Sequence, residues 1–369
     1  MTIRAIEPIV DIAVHLIRSD DEALDTARTL AAQFAPGAAV RDRERRLPWD
    51  ELAAMTRAGL WAVTVPREHG GAGVSRQTLT AIFRTLAAAD PSIARILLAH
   101  VDTLERLRTA GGAQQRLLYR ELLQGRHFAS APAGTVDGEP DSGGALRLNG
   151  ELHQVAGAGF AEWLAVPARD ARQRTWLALV PHNAHGLDIE DEAVPVGLRT
   201  VAGGTLRLTQ VTVAAKWVFD LDGAVRPPSP VALYAAAIDA GMAAAALDGT
   251  RCRPGAQTDA LLATIGELQV RLSAAQTLLR HAARALDAGN DADVAVLQAR
   301  VLCGDIALRA VDALFELAGP VPAVDGDDRD RCWRDARAHA QYAPSADSCR
   351  QLGERLLDLP SAAPLRAPF

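Results

Sequence analysis

The sequence predicts an α+β protein in three parts. These are an N-terminal helical domain (residues 1–126), a middle β-barrel or sandwich-like domain (127–222) and a C-terminal helical bundle (223–369). Two observations lead to this prediction. Apolar residues recur at helical spacing before His127 and again after Val231, whereas apolar and polar residues alternate between these points. A chain of 369 residues is also long enough for two or three domains.

The N-terminal domain is predicted to contain four helices. The first begins at Asp20 and Asp21, and the second follows Pro48 and ends at Gly59. A short apolar segment and a glycine-rich loop follow, and a third helix is predicted over residues 77–88. The run Asp90-Pro91-Ser92 predicts the start of a fourth helix, because Asp is a good N-cap and proline is favoured in the first turn.

The middle domain is predicted from short alternating segments. They read ALRLNG, ELHQVAG, EWLAVPA, RTWLALVP and TLRLTQVTV, and residues 134–144 before them look like a loop. Asn149-Gly150 separates the first two segments and predicts a hairpin turn. The sequence RPPSP after Asp222 predicts a linker.

From Val231 the helical period returns, with leucine and alanine stripes over about 231–250, 263–288 and 293–318. A further helix around Trp333 and a last one ending near Leu359 complete the predicted bundle.

Composition excludes several classes of function. The net charge is −6 and no basic stripe is present, so we expect no nucleic-acid partner. No apolar run without charges reaches the length of a membrane span, so we expect no membrane partner. The four cysteines form no CxxC pair and no metal-ligand spacing, which predicts free thiols, no metal and a cytoplasmic location.

The segment WRDARAHAQYAP, residues 333–344, carries the most informative polar pattern. Asp335, His339 and Tyr342 stand at i, i+4 and i+7, which places them on one face of a helix. A face of this kind at a helix end is typical of a site or of a salt-bridged contact. No glutamate follows Tyr342, where Ala343 stands instead.

The chain resembles the acyl-CoA dehydrogenase superfamily over nearly its whole length, and within it the flavin-dependent monooxygenase branch. Four stretches carry the resemblance. They are RDRERRLPWDELAAMTRAGLWAVTVPREHGGAGVS, ADPSIARILLAH, GLRTVAGGTLRLTQVTV, and GELQVRLSAAQTLLRHAARALD with ALFELAG and WRDARAH.

The resemblance implies a flavin between the β domain and the bundle, in a homotetramer or homodimer. Dehydrogenases of the superfamily often carry a glutamate base just after the tyrosine, where this chain has Ala343. They also use a glycine- and tyrosine-rich loop for the adenine end of FAD, and ELAGPVPAVDGDD lacks that pattern. These departures favour reduced FMN, delivered by a flavin reductase, with FAD as the alternative.

The resemblance also implies which residues would be catalytic. It places His100 beside the flavin, although helical periodicity alone favours a core histidine with a satisfied hydrogen bond. It makes His339 a stabiliser of an oxygen intermediate, with a salt bridge to Asp335 as the structural alternative. Tyr342 stands where the branch usually has a second histidine, and its phenol can donate a hydrogen bond.

Four residues are predicted to hold the cofactor. Arg251 or Arg253, in TRCRP, falls where the superfamily places an arginine on the flavin phosphate. Ala156 falls near a position where relatives often carry a hydroxyl side chain close to the flavin ring, and Gly157 adjoins it.

Three functions remain open from the sequence. The first is a flavin monooxygenase that uses reduced FMN and O₂ on a small sulfur- or nitrogen-containing substrate. The second is an FAD-dependent acyl-CoA dehydrogenase with a relocated base. The third is a degenerate, non-catalytic family member that acts as a partner subunit, motivated by altered pocket positions such as Leu98 and Ala99.

Overall fold

The computed structural model describes residues 13–108, 112–131, 133–191, 195–221, 230–251, 258–316, 328–342 and 345–357. Helices come first, a sheet follows, and helices complete the chain, which confirms the predicted α+β fold. The N-terminal helices are α1 (Asp20–Glu44), α2 (Trp49–Arg57), α3 (Arg76–Ala89), α4 (Pro91–Leu107) and α5 (Gly112–Leu123). The C-terminal helices are α6 (Val231–Arg251), α7 (Asp259–Asp287), α8 (Asp293–Glu316), α9 (Arg329–Tyr342) and α10 (Ser345–Leu356).

The helix starts follow the local signals in the sequence. The Asp90 side chain accepts hydrogen bonds from the Ser92 and Ile93 backbone N–H groups, and Pro91 occupies the first turn of α4. The predicted cap is therefore confirmed, and it fixes the entry of a helix whose residues are nearly all buried. Helix α1 extends to Glu44 and contains Pro36.

The middle domain is one eight-stranded sheet. Its strands are β1 (Phe128–Ser130), β2 (Val136–Pro140), β3 (Leu146–Val155), β4 (Trp163–Arg169), β5 (Thr175–Pro181), β6 (Leu187–Asp191), β7 (Gly204–Val213) and β8 (Val218–Asp220). The strand order is β6-β7-β3-β2-β4-β5-β8, and β1 pairs with β4. Alternate side chains of β3 and β7 are buried in a separate apolar cluster, as the alternating pattern predicts.

Two predictions in this domain are wrong. Residues 136–140 form a strand instead of a loop, because β2 pairs with both β3 and β4 despite its turn-like residues. Asn149-Gly150 is not a hairpin turn but lies inside β3, where the register with β7 shifts. Asn149 Oδ1 accepts hydrogen bonds from the Gln210 backbone N–H and side-chain amide, at 2.8 and 2.9 Å, so a β-bulge replaces the turn.

Helix α6 is the most apolar element. Residues Val231–Thr250 are long and apolar enough to cross a membrane by length and composition, yet 72% of that window is buried inside the protein. The helix packs chiefly on α3 and α8, and also contacts α4, α7 and α9. This central position explains the composition and makes Asp239, buried within the helix, an unusual residue.

Candidate active site

A buried charged cluster lies where α6, α8 and α9 meet. It consists of Asp239 on α6, Arg300 on α8 and His339 on α9, each no more than 3% exposed. Asp239 Oδ2 accepts a hydrogen bond from Arg300 Nη1, and Asp239 Oδ1 lies 3.8 Å from His339 Nε2. We call these three residues the His339 cluster. Its partner for the histidine is Asp239 on a different helix, and not Asp335, which the helical spacing suggested.

The contacts of His339 determine which ring nitrogen carries the proton. Nε2 lies 3.2 Å from the Ala235 carbonyl oxygen, and its next polar neighbour is the Asp239 carboxylate. Both neighbours are acceptors, so Nε2 must be the protonated nitrogen of the neutral ring. Nδ1 is buried without a hydrogen-bond partner among the described residues. It is therefore a buried acceptor that no residue in the described part of the chain uses.

The electrostatic surroundings keep this ring neutral. Burial is the main cause that lowers the pKa of His339 to about 4; the positive charges of Arg300 and Arg95 act in the same direction, and Asp239 opposes them. Arg95 lies on α4 and is 6% exposed. The sequence alone does not point to Asp239, Arg300 or Arg95. The available signal was a charged residue inside an otherwise apolar helix, which is clearest for Asp239 in α6.

His100 belongs to a second network. Its Nδ1 accepts a hydrogen bond from the Phe128 backbone N–H at 3.0 Å, and its Nε2 lies 2.9 Å from the Trp61 carbonyl oxygen. The ring is fully buried, and burial lowers its pKa to about 3. His127 stacks on the Trp61 ring at a centroid distance of 4.7 Å. We call His100, Trp61 and Phe128 the His100 network, which joins α4 to β1.

Ala156 and Gly157 lie at the end of β3, against the N-terminal half of α4. Ala156 is 3% exposed and bridges to Ser130. Gly157 has a φ of 76°, and a Cβ atom there would lie 3.2 Å from Ile96 Cγ2. Ile96 is next to Arg95, whose charge acts on His339. Helix α4 therefore contacts this turn and also lies near His339.

One loop bridges the Ala156–Gly157 turn and α9. The Gly157 N–H donates to the Val201 carbonyl at 3.1 Å, and the Leu198 N–H donates to Asp335 Oδ1 at 2.6 Å. A Cβ atom on Gly197 would lie 2.2 Å from the Arg334 carbonyl oxygen, so only glycine permits this approach. The loop therefore fixes α9, and with it His339, against the β domain.

Asp335 itself is buried, and burial raises its pKa to about 7, although Arg331 and the Leu198 N–H oppose the shift. Arg334 binds Asp42 at 2.5 Å and Asp330 at 2.9 Å. Its contacts attach α9 to α1.

The other predicted site residues are only partly described. Tyr342 is the last residue of α9 and Arg251 the last of α6, but their side chains lie outside the described part of the structure, as does all of Arg253. Their roles stay predictions. No group of three or more His, Cys, Asp or Glu residues that could hold a metal occurs among the described residues.

Comparison with known proteins gives the family. The model of the acyl-CoA dehydrogenase N-terminal domain matches residues 19–124, and that of the C-terminal domain matches residues 229–355. The chain is 25% identical over 392 residues to a dibenzothiophene monooxygenase from Rhodococcus qingshengii, covering 92% of this chain and 94% of that protein. It is 26% identical over 380 residues to the probable FMNH2-dependent monooxygenase SfnC from Pseudomonas putida, covering 93% and 96%.

A solved structure shares the fold. TdsC, a dibenzothiophene monooxygenase from a Paenibacillus species, superposes with a TM-score of 0.85 at 23% identity, over 93% of this chain and 99% of that one. The two family models together span most of the helical parts of the chain, and the sheet lies between them. The resemblance seen in the sequence is thus confirmed, and the chain belongs to the acyl-CoA dehydrogenase family.

Proposed function

We propose that the protein is a monooxygenase that uses reduced FMN and O₂ on a small sulfur- or nitrogen-containing substrate. The observation that carries this proposal is the buried Nδ1 of His339, an acceptor without a partner among the described residues. A nitrogen of this kind is suited to a bound group that donates a hydrogen bond. The names of two relatives, dibenzothiophene monooxygenase and probable FMNH2-dependent monooxygenase SfnC, support the reaction class.

The residues present fit a flavin. Ala156 and Gly157 are small residues, and Gly157 packs against Ile96 of α4, next to Arg95, whose charge acts on His339. Arg251 or Arg253 would bind the phosphate, as the superfamily resemblance implies. Reduced FMN, when bound, supplies two electrons and activates O₂. TdsC has been solved with FMN and indole, which supports FMN over FAD.

The chain's own residues prepare the site for this chemistry. The Ala235 carbonyl and Asp239 keep the proton of His339 on Nε2, and Nδ1 remains free to accept. Arg300 holds Asp239 in place, and burial excludes water from the ring. His339 can therefore orient a donor group on the flavin or substrate, or take its proton, without first losing one of its own.

The second candidate, an FAD-dependent acyl-CoA dehydrogenase with a relocated base, has one observation in its favour. Asp239 is a buried carboxylate on a helix other than α9 and could replace the missing glutamate. Its hydrogen bond to the buried Arg300 argues against this role, because one carboxylate oxygen is already held by the guanidinium.

Anaerobic calorimetry with reduced FMN and with FAD separates these functions. We expect the protein to bind reduced FMN more tightly than FAD. In a separate aerobic assay with a flavin reductase, we expect it to transfer one atom of ¹⁸O₂ to a sulfide or N-heterocycle. Preferred binding of FAD, with loss of the flavin colour on adding an acyl-CoA, would support the dehydrogenase. Binding of neither flavin would support a non-catalytic partner subunit.

We further propose a flavin reductase as a partner and self-association as a homotetramer or homodimer. The name of the SfnC relative supports the reductase, because an enzyme dependent on FMNH2 needs a source of it. Leu262 and Val270 on α7 are 48% and 70% exposed, and apolar side chains on one helix favour contact with a second copy. Light scattering on the protein and on Val270→Asp tests this: we expect a tetramer or dimer for the former and a smaller species for the latter.

The proposed location is the cytoplasm. Cys303 and Cys332 are unpaired thiols, and burial raises the pKa of Cys332 to about 12, which keeps it unreactive. Free thiols are usual in a reducing compartment. Cell fractionation with a fluorescent fusion tests the location, and recovery from the cell envelope would contradict it.

A further inference from the structure

A small cavity lies between α1, α3 and α7, away from the His339 cluster. Its volume is about 150 Å³, and its polar lining comes from α3 and α7: Gln77, Thr78, Thr80, Arg84, Gln276 and Arg280. Pockets for drug-sized ligands occupy about 300–1,000 Å³. At roughly 30 Å³ for each water molecule, this cavity holds about five. It can therefore accept a small ion with some water, but not a nucleotide or a flavin.

Arg84 and Arg280 line this cavity, and the charge of a third arginine, Arg28, also acts on Arg84. Arg84 on α3 is half-buried, and Arg280 on α7 and Arg28 on α1 lie close enough for their charges to act on it. Burial lowers the pKa of Arg84, and the two neighbouring positive charges lower it further. Among the described residues no carboxylate lies within salt-bridge distance of the Arg84 guanidinium.

This arrangement differs from that of the other arginines in the helical core. Arg41 is buried between Asp90 at 2.8 Å and Glu51 at 2.6 Å. Arg334 binds two aspartates, which raise its pKa in spite of burial. A buried cation normally has an anion beside it, because desolvation without compensation is costly. Arg84, which is half-buried, instead has two cations nearby: Arg280, and Arg28, which is paired with Asp25 at 2.8 Å.

We propose that this cavity binds a small oxyanion, a phosphate or a carboxylate, between Arg84 and Arg280. The guanidinium group presents parallel N–H donors that match the oxygen pairs of these anions. The Gln276 side chain lines the same cavity and has no protein hydrogen-bond partner among the described residues, so its amide can donate to the same ion. The site is separate from the proposed flavin site and would link the stability of α1, α3 and α7 to anion concentration.

Thermal unfolding with added anion tests the site. The buffer contains neither phosphate nor carboxylate, and phosphate or acetate is added at an ionic strength held constant with NaCl. We expect a saturable rise in the unfolding midpoint, on the order of 3 °C when the anion exceeds its Kd about 100-fold. The anion that saturates at the lower concentration identifies whether a phosphate or a carboxylate is the natural ligand.

Two variants and one control complete the experiment. Arg84→Gln and Arg280→Gln should each abolish the anion-dependent rise. Without anion, Arg84→Gln should unfold at the same temperature as the wild type or above it, because a repelled charge is removed. Arg271→Gln, on the same helix α7, removes an arginine that is paired with Glu267 and Asp305 and should keep the full rise.

Three results would overturn the proposal. The first is a rise that persists in both variants. The second is a lower midpoint for Arg84→Gln in anion-free buffer. The third is that Arg84→Gln dissociates an oligomer at every anion concentration, as measured by light scattering. This result would mean that a carboxylate of a second copy of the chain occupies the cavity.

Discussion

His100 and His339 are both fully buried, and burial lowers the pKa of both rings, to about 3 and about 4. They differ in their hydrogen bonds. Both nitrogens of His100 bind backbone groups, those of Trp61 and Phe128. His339 uses one nitrogen on the Ala235 carbonyl, and its Nδ1 is left without a partner among the described residues.

This difference separates a histidine that joins structural elements from one that is available for chemistry. The sequence resemblance treats the two alike, as flavin-side residues. The hydrogen bonds instead favour a structural role for His100, because no ring nitrogen remains to meet a ligand. They favour a catalytic role for His339. The two residues also lie in separate networks, so variants of each can be compared directly.

The largest expected effect is on stability, in His100→Leu. Leucine would leave the Trp61 carbonyl and the Phe128 N–H buried without partners, at roughly 1–3 kcal/mol each. We expect the free energy of unfolding to fall by about 4 kcal/mol, measured by urea denaturation. Activity per folded molecule should change little.

The control for this variant is His281→Leu, on the exposed face of α7. It should change the free energy of unfolding by no more than about 0.5 kcal/mol. A stable His100→Leu protein without activity would reverse the assignment and make His100 the catalytic histidine.

The next effect is on activity, in His339→Gln. The glutamine amide can replace Nε2 and keep the bond to Ala235, but nothing replaces Nδ1. We expect the turnover rate to fall about 100- to 1,000-fold, as for the loss of one preorganised hydrogen bond at a reacting group. Reduced FMN oxidation and substrate oxygenation are both measured at saturating flavin.

His339→Asn is the matched variant, because its Oδ1 is attached at the same carbon as Nδ1 and is also an acceptor. It should retain more activity than His339→Gln while losing the bond to Ala235. Equal losses in both variants would contradict the acceptor role of Nδ1.

The two networks were not equally predictable from the sequence. Helical spacing and the resemblance led to both His100 and His339, and the Asp90 cap of α4 follows from three consecutive residues. The partners of His339 could not be predicted, since Asp239 and Arg300 stand 100 and 39 positions before it on other helices. Their pairing depends on how α6, α8 and α9 pack, which periodicity does not specify.

The sheet shows the same limit. Strand β2 contains Gly138 and Pro140 and looks like a turn, and it becomes a strand because β3 and β4 supply its hydrogen bonds. At Asn149-Gly150 the strong local turn signal is overridden by pairing with β7. Local propensity is a weak guide where long-range strand pairing decides the conformation.

Asp239→Asn tests whether the His339 cluster depends on its buried charge pair. The buried Arg300 guanidinium would lose the carboxylate charge opposite it, and we expect the free energy of unfolding to fall by about 3 kcal/mol. The same substitution at Asp312, whose salt bridge to Arg337 is exposed, should cost less than about 1 kcal/mol. Equal costs at the two positions would show that burial of the pair is energetically unimportant.

The smallest expected effect is that of His339→Gln on the pH dependence of the free energy of unfolding between pH 7 and 5. Unfolded His339 binds its proton near pH 6.5 and the folded residue near 4, so this group loses stability as the pH falls. His339→Gln should therefore reduce the loss measured by urea denaturation, by about 2 kcal/mol at pH 5.

Asp335, on the same helix, changes the stability in the opposite direction as the pH falls. Its pKa is about 7 in the folded state and 3.8 in the unfolded chain, so the folded state binds the extra proton and gains stability as the pH falls. Asp335→Asn should thus make the loss between pH 7 and 5 larger, by about 2 kcal/mol, while keeping an acceptor for the Leu198 N–H. Shifts of the same sign in the two variants would mean that α9 does not hold one neutral histidine and one protonated aspartate at pH 5.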